Sequence, residues 1–268
     1  MCLVLLAWRV HPEYPLVLAA NRDEFHARAA APAAWWDEPA GLLAGRDLDA
    51  GGTWLGVTRD ARFAVLTNYR DPGRHAAAAP SRGALVTHAL SRPEPLEATL
   101  GWLARAAPAY NGFNLLFSDG ERLGVYESVP GTGRELPPGV YGLSNHLLDT
   151  PWPKVTAAKS QLAAALTQLP EEAPLRELLR DGRPAEDAEL PRTGLSLEWE
   201  RLLSSAFIRA PGYGTRCSTI VLVDRRGTVR FEESSWDEAG APRGSVRQEF
   251  SRAAPASAPS SHGRSPPP

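Results

Sequence analysis

The sequence predicts an α+β protein in which antiparallel sheets pack together and are covered by helices. Three observations point there. Short β-prone runs recur in pairs joined by turn residues, the pattern of hairpins. Helical segments fall between groups of strands rather than after each strand. No GxGxxG or GxxxxGK[ST] occurs, so the phosphate-binding turns usual in parallel, doubly wound sheets are missing.

Taken in order, residues 2–10 and 15–21 are apolar runs separated by His11-Pro12-Glu13-Tyr14. The Pro-containing break between them predicts a hairpin. Strand-like pieces follow at Gly41–Ala44, Thr53–Thr58 and Arg62–Thr67, with Gly51-Gly52 giving the backbone freedom for a tight turn. Ser81–Leu90 and Glu94–Ala106 read as helices, the second starting after Pro93. Strands return at Phe113–Phe117, Leu123–Glu127 and Val140–Leu143. The clearest helix is Pro153–Leu169, opened by Pro153 and stopped by Pro170. Shorter helices are expected at Pro174–Leu179 and Leu197–Phe207. A strong strand, Thr215–Val223, turns at Arg225-Arg226-Gly227 into Thr228–Glu233. Trp35-Trp36 is read as part of a Pro/Ala-rich loop. Residues 2–250 are expected to form one domain. From residue 251 the chain is Ser, Ala, Pro, Gly and Arg ending in Pro-Pro-Pro, too poor in apolar area to offset its ordering entropy, and is expected to be disordered.

Composition narrows the function. The 268 residues are 43% hydrophobic, enough for a large core, and the net charge of −2 with scattered basic residues gives no reason to expect a nucleic-acid partner. Two cysteines make no disulfide framework, which fits a reducing, cytoplasmic setting. The apolar start, Leu3 to Trp8, is broken by Arg9 and His11 and lacks a basic leader, and no later stretch approaches the roughly 18–20 apolar residues of a membrane span. Six histidines show no zinc-ligand spacing and no CxxC accompanies them, so no metal is expected. Of these, His26 and His146 flank the motif regions.

The most informative stretch is the first hairpin. Removal of Met1 would give Cys2 both a thiol and a free α-amine, which titrate near ~8.5 and ~8, so the amine can take the thiol's proton at neutral pH. A turn centred between Pro12 and Glu13 places Cys2 opposite Asp23, with Asn21 and Arg22 alongside. A guanidinium near the thiol favours thiolate, and a carboxylate can orient the amine. Cys217, on the strand beside Arg216, is expected to be a buried thiol and not a second nucleophile.

Met1-Cys2 followed by Asn21-Arg22-Asp23-Glu24 resembles the NRDE family of transport and Golgi organisation 2-like proteins. The likeness continues through Gly45-Arg46-Asp47, Gly51-Gly52-Thr53-Trp54-Leu55-Gly56 and Leu66-Thr67-Asn68-Tyr69-Arg70. It reaches Leu143-Ser144-Asn145, Pro151-Trp152-Pro153-Lys154 and Gly214-Thr215-Arg216. The resemblance implies the four-layer αββα sandwich of the N-terminal nucleophile hydrolases, near the penicillin V acylase, bile-salt hydrolase and acyl-CoA acyltransferase group. Carried over by position, Cys2 is nucleophile and base, Arg22 and Asp23 tune it, Asn68 or Asn145 donates to an oxyanion, and Arg216 supports the cluster. Asn21, Arg46, Thr53 and Trp54 are the candidate ligand contacts. One departure stands out: Arg22 and Asp23 are adjacent, whereas those hydrolases space the pair, and adjacent strand residues point to opposite faces.

Two readings follow. In the first, a cysteine-dependent amidase or acyltransferase forms an acyl-enzyme on Cys2 from a small amide or acyl thioester, with no cofactor. In the second, which draws on the haem trafficking and acyl-CoA homeostasis proposed for this family, the same scaffold carries a hydrophobic anionic ligand such as haem or acyl-CoA. Its contacts would come from Arg22, Arg46, Arg70 and Arg216. A purely structural role leaves the Cys2 hairpin unexplained.

Overall fold

The computed structural model describes residues 2–253. It opens with the hairpin of β1 (Cys2–Trp8) and β2 (Leu16–Phe25), then runs through β3 (Ala30–Trp35), β4 (Leu42–Asp47), β5 (Leu55–Thr58) and β6 (Phe63–Asn68). Two helices follow, α1 (Gly83–Ser91) and α2 (Leu96–Ala106), and then β7 (Phe113–Ser118), β8 (Leu123–Glu127), β9 (Thr132–Leu136) and β10 (Gly139–Leu143). Helices α3 (Pro153–Leu166), α4 (Ala173–Leu179) and α5 (Leu197–Leu202) precede β11 (Arg209–Ala210), β12 (Tyr213–Val223), β13 (Thr228–Trp236) and β14 (Pro242–Ser251).

The strands form two antiparallel sheets. One has the order β10-β1-β2-β12-β13-β14 with β11 on β12, and the other runs β3 to β9 in sequence. Three apolar layers hold them. Val4, Leu6 and Leu18 of the first sheet meet Leu43, Val65 and Leu116 of the second. On its outer face the first sheet packs Leu3, Leu5 and Val17 against Val155, Leu162 and Leu178 of α3 and α4. The second packs Leu42, Ala64 and Leu115 against Leu85, Leu90 and Leu103 of α1 and α2. The result is the αββα sandwich. It also explains why residues 3–8 are apolar without alternation: β1 is buried on both faces, between a sheet and a helix layer. No helix among the described residues is long and apolar enough to cross a membrane.

Several expectations are corrected. Arg9, with φ +52°, donates its N–H to the Pro15 carbonyl and closes a connection of odd length. The turn is therefore centred on Pro12, and the register runs Cys2↔Arg22 to Trp8↔Leu16. Cys2 faces Arg22 across the ladder, one residue from the predicted Asp23. Four strands, β3, β9, the two-residue β11 and β14, are added to the expected set, and Trp35 belongs to the first of them. The chain stays ordered through residue 253: Ser251 pairs with Thr228, and the Arg252 and Ala253 N–H groups donate to the Gly227 and Arg59 carbonyls. The rest of the expected disordered tail, 254–268, lies outside the described residues.

Two glycines are set by close approach. A Cβ on Gly45 would meet the Trp54 ring at 2.3 Å, and one on Gly52 would meet the Gly83 backbone at 2.5 Å, where the chain presses on the start of α1. Gly51, at φ +77°, is the turn residue. Gly45→Val is expected to displace Trp54 and cost about 1–3 kcal/mol in urea unfolding, as overpacked sites do. A midpoint within error of wild type would contradict this packing.

Candidate functional site

The site grows out of the end of β2. This strand lies between β1 and β12, and its last residues alternate between the two faces. Asn21 points to the helix layer, where its amide donates to the Leu179 carbonyl at 2.7 Å and the Ala206 carbonyl at 2.8 Å, and its oxygen accepts from Ser218 at 2.6 Å. The expected ligand contact is thus a structural tie that fixes α4 and the Ser205-Ala206 segment to the sheet. Arg22 points the other way, into the space between the sheets, in one row with Cys2 on one side and Cys217 on the other. Its guanidinium carbon lies 4.4 Å from the centre of the Trp54 ring, and its Nη1 is buried with no hydrogen-bond partner among the described residues.

Cys2 is half-buried at the open end of β1 and lines a cleft of about 260 Å³ with Arg22, Asp23, Thr53, Trp54 and Asn68. Its carbonyl accepts from the Ser144 hydroxyl at 3.0 Å, which fixes the first residue of the strand against the turn after β10. Burial pushes the thiol up from its ordinary range and the Asp23 carboxylate adds to this, while Arg22 and a hydrogen bond from the Asp23 N–H pull it down. The outer wall of the cleft carries Arg28, Arg82, His75 and Glu24. Arg28 is paired with Asp47 at 2.7 Å, and Arg82 donates to the Gly112 carbonyl at 3.0 Å.

Adjacency does send Arg22 and Asp23 to opposite faces, yet both act on the thiol, because Cys2 sits where the sheet ends. Arg22 is its ladder partner and Asp23 reaches it through the backbone. The Asp23 carboxylate accepts from Thr215 Oγ1 at 2.7 Å and is pushed up by burial, against the pull of Lys154. Around it lies a closed polar cluster of which the sequence pointed only to Arg70, as a ligand contact. Arg70 Nη1 pairs with Glu200 at 2.6 Å, both side chains almost fully buried, and its guanidinium stacks 4.5 Å from the Trp152 ring. Lys154, near the start of α3, is 5% exposed. A lysine directly after a helix-opening proline was the signal for it, since a cation is disfavoured at a helix N-terminus.

The other expected residues divide. Asn68 lines the cleft; Asn145 lies behind it, fully buried, its amide donating to the Asn68 carbonyl at 2.9 Å. Thr53 lines the cleft, with its hydroxyl donating to Leu55 O at 3.0 Å. Arg46 is exposed and stacks 4.4 Å from Trp36, away from the cleft. Arg216 is the extra residue of a β-bulge between Thr215 and Cys217, which turns it out of the row that Cys2 and Arg22 share. It wraps the end of β2 instead, donating to the Phe25 and Arg28 carbonyls at 2.8 and 3.0 Å. Cys217 is buried and its thiol is held well above the ordinary range by burial and by Glu233. It faces a second recess of about 400 Å³ that shares Arg22 and Trp54 with the first. His75 lines the cleft, whereas His146 is bound to Thr150 at 2.9 Å. Among the described residues no three His, Cys, Asp or Glu side chains are placed to hold a metal ion.

An αββα sandwich with a cysteine at the head of its first strand and a charged cluster on the strand beside it is the class this geometry defines. The chain belongs to the Transport and Golgi organisation 2 family, whose profile matches residues 1–238. It is 36% identical to the human Transport and Golgi organization protein 2 homolog over 261 residues, covering 88% of this chain and 93% of that one. The Drosophila melanogaster protein is 30% identical over 264 residues, covering 88% and 92%. Solved structures similar to the chain include a conjugated bile acid hydrolase from Clostridium perfringens, with TM-score 0.40 and 10% identity over 86% of this chain and 88% of that one. A Caenorhabditis elegans ortholog of N-acylethanolamine-hydrolyzing acid amidase has TM-score 0.39 and 8% identity, covering 82% and 92%.

The structural role of Asn21 is testable. Asn21→Ala leaves two buried carbonyls without their donor, each costing about 1–3 kcal/mol. Denaturant unfolding is expected to show a loss of about 2–6 kcal/mol in all, and a change below about 0.5 kcal/mol, the range of an ordinary surface substitution, would contradict it.

Proposed function

We propose that Cys2, made the N-terminal residue by removal of Met1, is the nucleophile of an amide- or thioester-cleaving reaction in the cleft between the sheets. The observation that carries this reading is the placement of the thiol. It is half-buried, opens on the cleft, stands opposite Arg22 and accepts from the Asp23 N–H. In the proposed reaction the thiol proton passes to the α-amine and the sulfur attacks the carbonyl carbon. The carbon–nitrogen or carbon–sulfur bond then breaks, and the α-ammonium returns its proton to the leaving amine or thiol. Water, or an acceptor amine, attacks the resulting thioester and regenerates Cys2. Arg22 stabilises negative charge on sulfur, and the Asn68 amide is the candidate donor to the oxyanion.

A second reading has its own support in the cleft wall. Arg22, Arg28 and Arg82 suit an anionic group, and burial holds the thiol mainly protonated at neutral pH, which favours binding without turnover. Haem and acyl-CoA are the ligands to test. In that case Cys2→Ala binds as wild type does, with the same Soret shift or thermal stabilisation, and neither protein turns over amides or acyl thioesters.

On the nucleophile reading, intact mass shows Met1 absent, and limiting iodoacetamide labels Cys2 at least about ten times faster than Cys217. Because burial raises the Cys2 thiol, labelling accelerates as pH rises into the alkaline range and slows toward neutral. Arg22→Gln removes a charge that favours thiolate, so it slows labelling of Cys2 at neutral pH by about tenfold, the equivalent of one pH unit. Retained Met1, or equal labelling of the two cysteines, would overturn the proposal.

A further inference from the structure

Lys154 is placed where a lysine does not stabilise a protein. Its side chain is buried, and its Nζ has no hydrogen-bond partner among the described residues. It stands in the first turn of α3, directly after Pro153, at the positive end of the helix dipole. Each of these features costs free energy, since a buried ammonium needs acceptors and a helix N-terminus prefers anions. Four charged or titratable groups surround it: Asp23 on β2, Cys2 on β1, Arg70 after β6 and Glu200 on α5. Arg70 and Glu200 are already paired with each other at 2.6 Å. That leaves Lys154 as the cation set against Asp23 and Cys2, on the helix side of the sheet.

We propose that Lys154 is a positioning residue for the Cys2 nucleophile: its positive charge, held behind Asp23, keeps the α-amine in its free-base form and favours the thiolate. This rests on the nucleophile reading above. A nearby cation disfavours a second cation and favours an anion. With Lys154 charged, the Asp23 carboxylate has a second cation beside Arg22 and holds the α-amine less firmly as ammonium, and negative charge on sulfur is stabilised from the side opposite Arg22. Burial lowers the Lys154 ammonium to about 8, with Asp23 opposing and Arg70 adding to the fall. The charge is therefore present below about pH 8 and fades above it, within the range in which its effect can be read.

The sign follows. Below about pH 8 the cation speeds thiolate formation on Cys2, and above it the advantage disappears. The test is the rate of iodoacetamide labelling at Cys2, followed by peptide mapping from pH 6 to 10, for wild type, Lys154→Met and Lys154→Arg. Lys154→Met is expected to be about tenfold slower at pH 7, one pH unit's worth, with the difference shrinking to within about twofold by pH ~9.5 as the wild-type ammonium is lost. Lys154→Arg, which keeps its charge at every pH, is expected to restore the neutral rate and to hold its advantage over Lys154→Met above pH ~9. A Lys154→Met profile that superimposes on wild type, with Cys2 still labelled faster than Cys217, overturns the role of Lys154 alone. Wild-type Cys2 labelled no faster than Cys217 overturns the nucleophile, and this inference with it.

Discussion

The backbone ladder of β2 is the constraint on which the site depends. Because β2 hydrogen-bonds to β1 on one side and β12 on the other, its residues must alternate between the two faces of the sheet. The alternation separates Asn21 and Asp23 from Arg22. One face meets helices, so Asn21 and Asp23 become buried ties to α4, to Ser218 and to Thr215. The other meets the second sheet, so Arg22 becomes a stacked cation against Trp54 between two thiols. The bulge at Arg216 shifts β12 by one residue, which allows Thr215 to pair with Asp23 while Cys217 still faces Arg22.

Everything else near Cys2 follows from closing the open end of that ladder. The Ser144 hydroxyl anchors the Cys2 carbonyl, and Asn145 joins the turn after β10 to the end of β6 through the Asn68 carbonyl. The two sheets are thereby tied together beside the thiol. Trp54 can lie over Arg22 because Gly45 has no Cβ, so a glycine on β4 sets the floor of a cleft whose thiol and guanidinium are on β1 and β2. The polar cluster of Arg70, Glu200 and Lys154 occupies the remaining side, and it is buried, which is where charges act most strongly on one another.

Every strand with neighbours on both sides is legible in the sequence, and of the one-sided strands only β10 is. β3, β9 and β14 are all edge strands. β3 is Ala- and Pro-rich, which an edge tolerates because half its backbone groups need no partner. β9 and β14 are mostly exposed and carry little apolar pattern. The hairpin register was off by one because it depends on whether the connection is odd or even, and apolar runs do not encode that. In the site, Cys2, Arg22, Asp23, Asn68, Thr53 and Trp54 were legible as motif residues and do come together. Arg46 and Arg216 stood in equally good motifs but face elsewhere. Lys154 and Glu200 come from helices distant in sequence, and only the fold brings them to Asp23.

The central claim is that the Cys2 thiol attacks carbonyl carbon. The most direct test is pre-steady-state hydrolysis of p-nitrophenyl acetate by the intact chain, beside Cys2→Ala and Cys217→Ala variants. The account predicts a burst of p-nitrophenol stoichiometric with protein, kept in Cys217→Ala and lost in Cys2→Ala. A burst that survives in Cys2→Ala, or its absence from the wild type at every pH up to about 9, would contradict it.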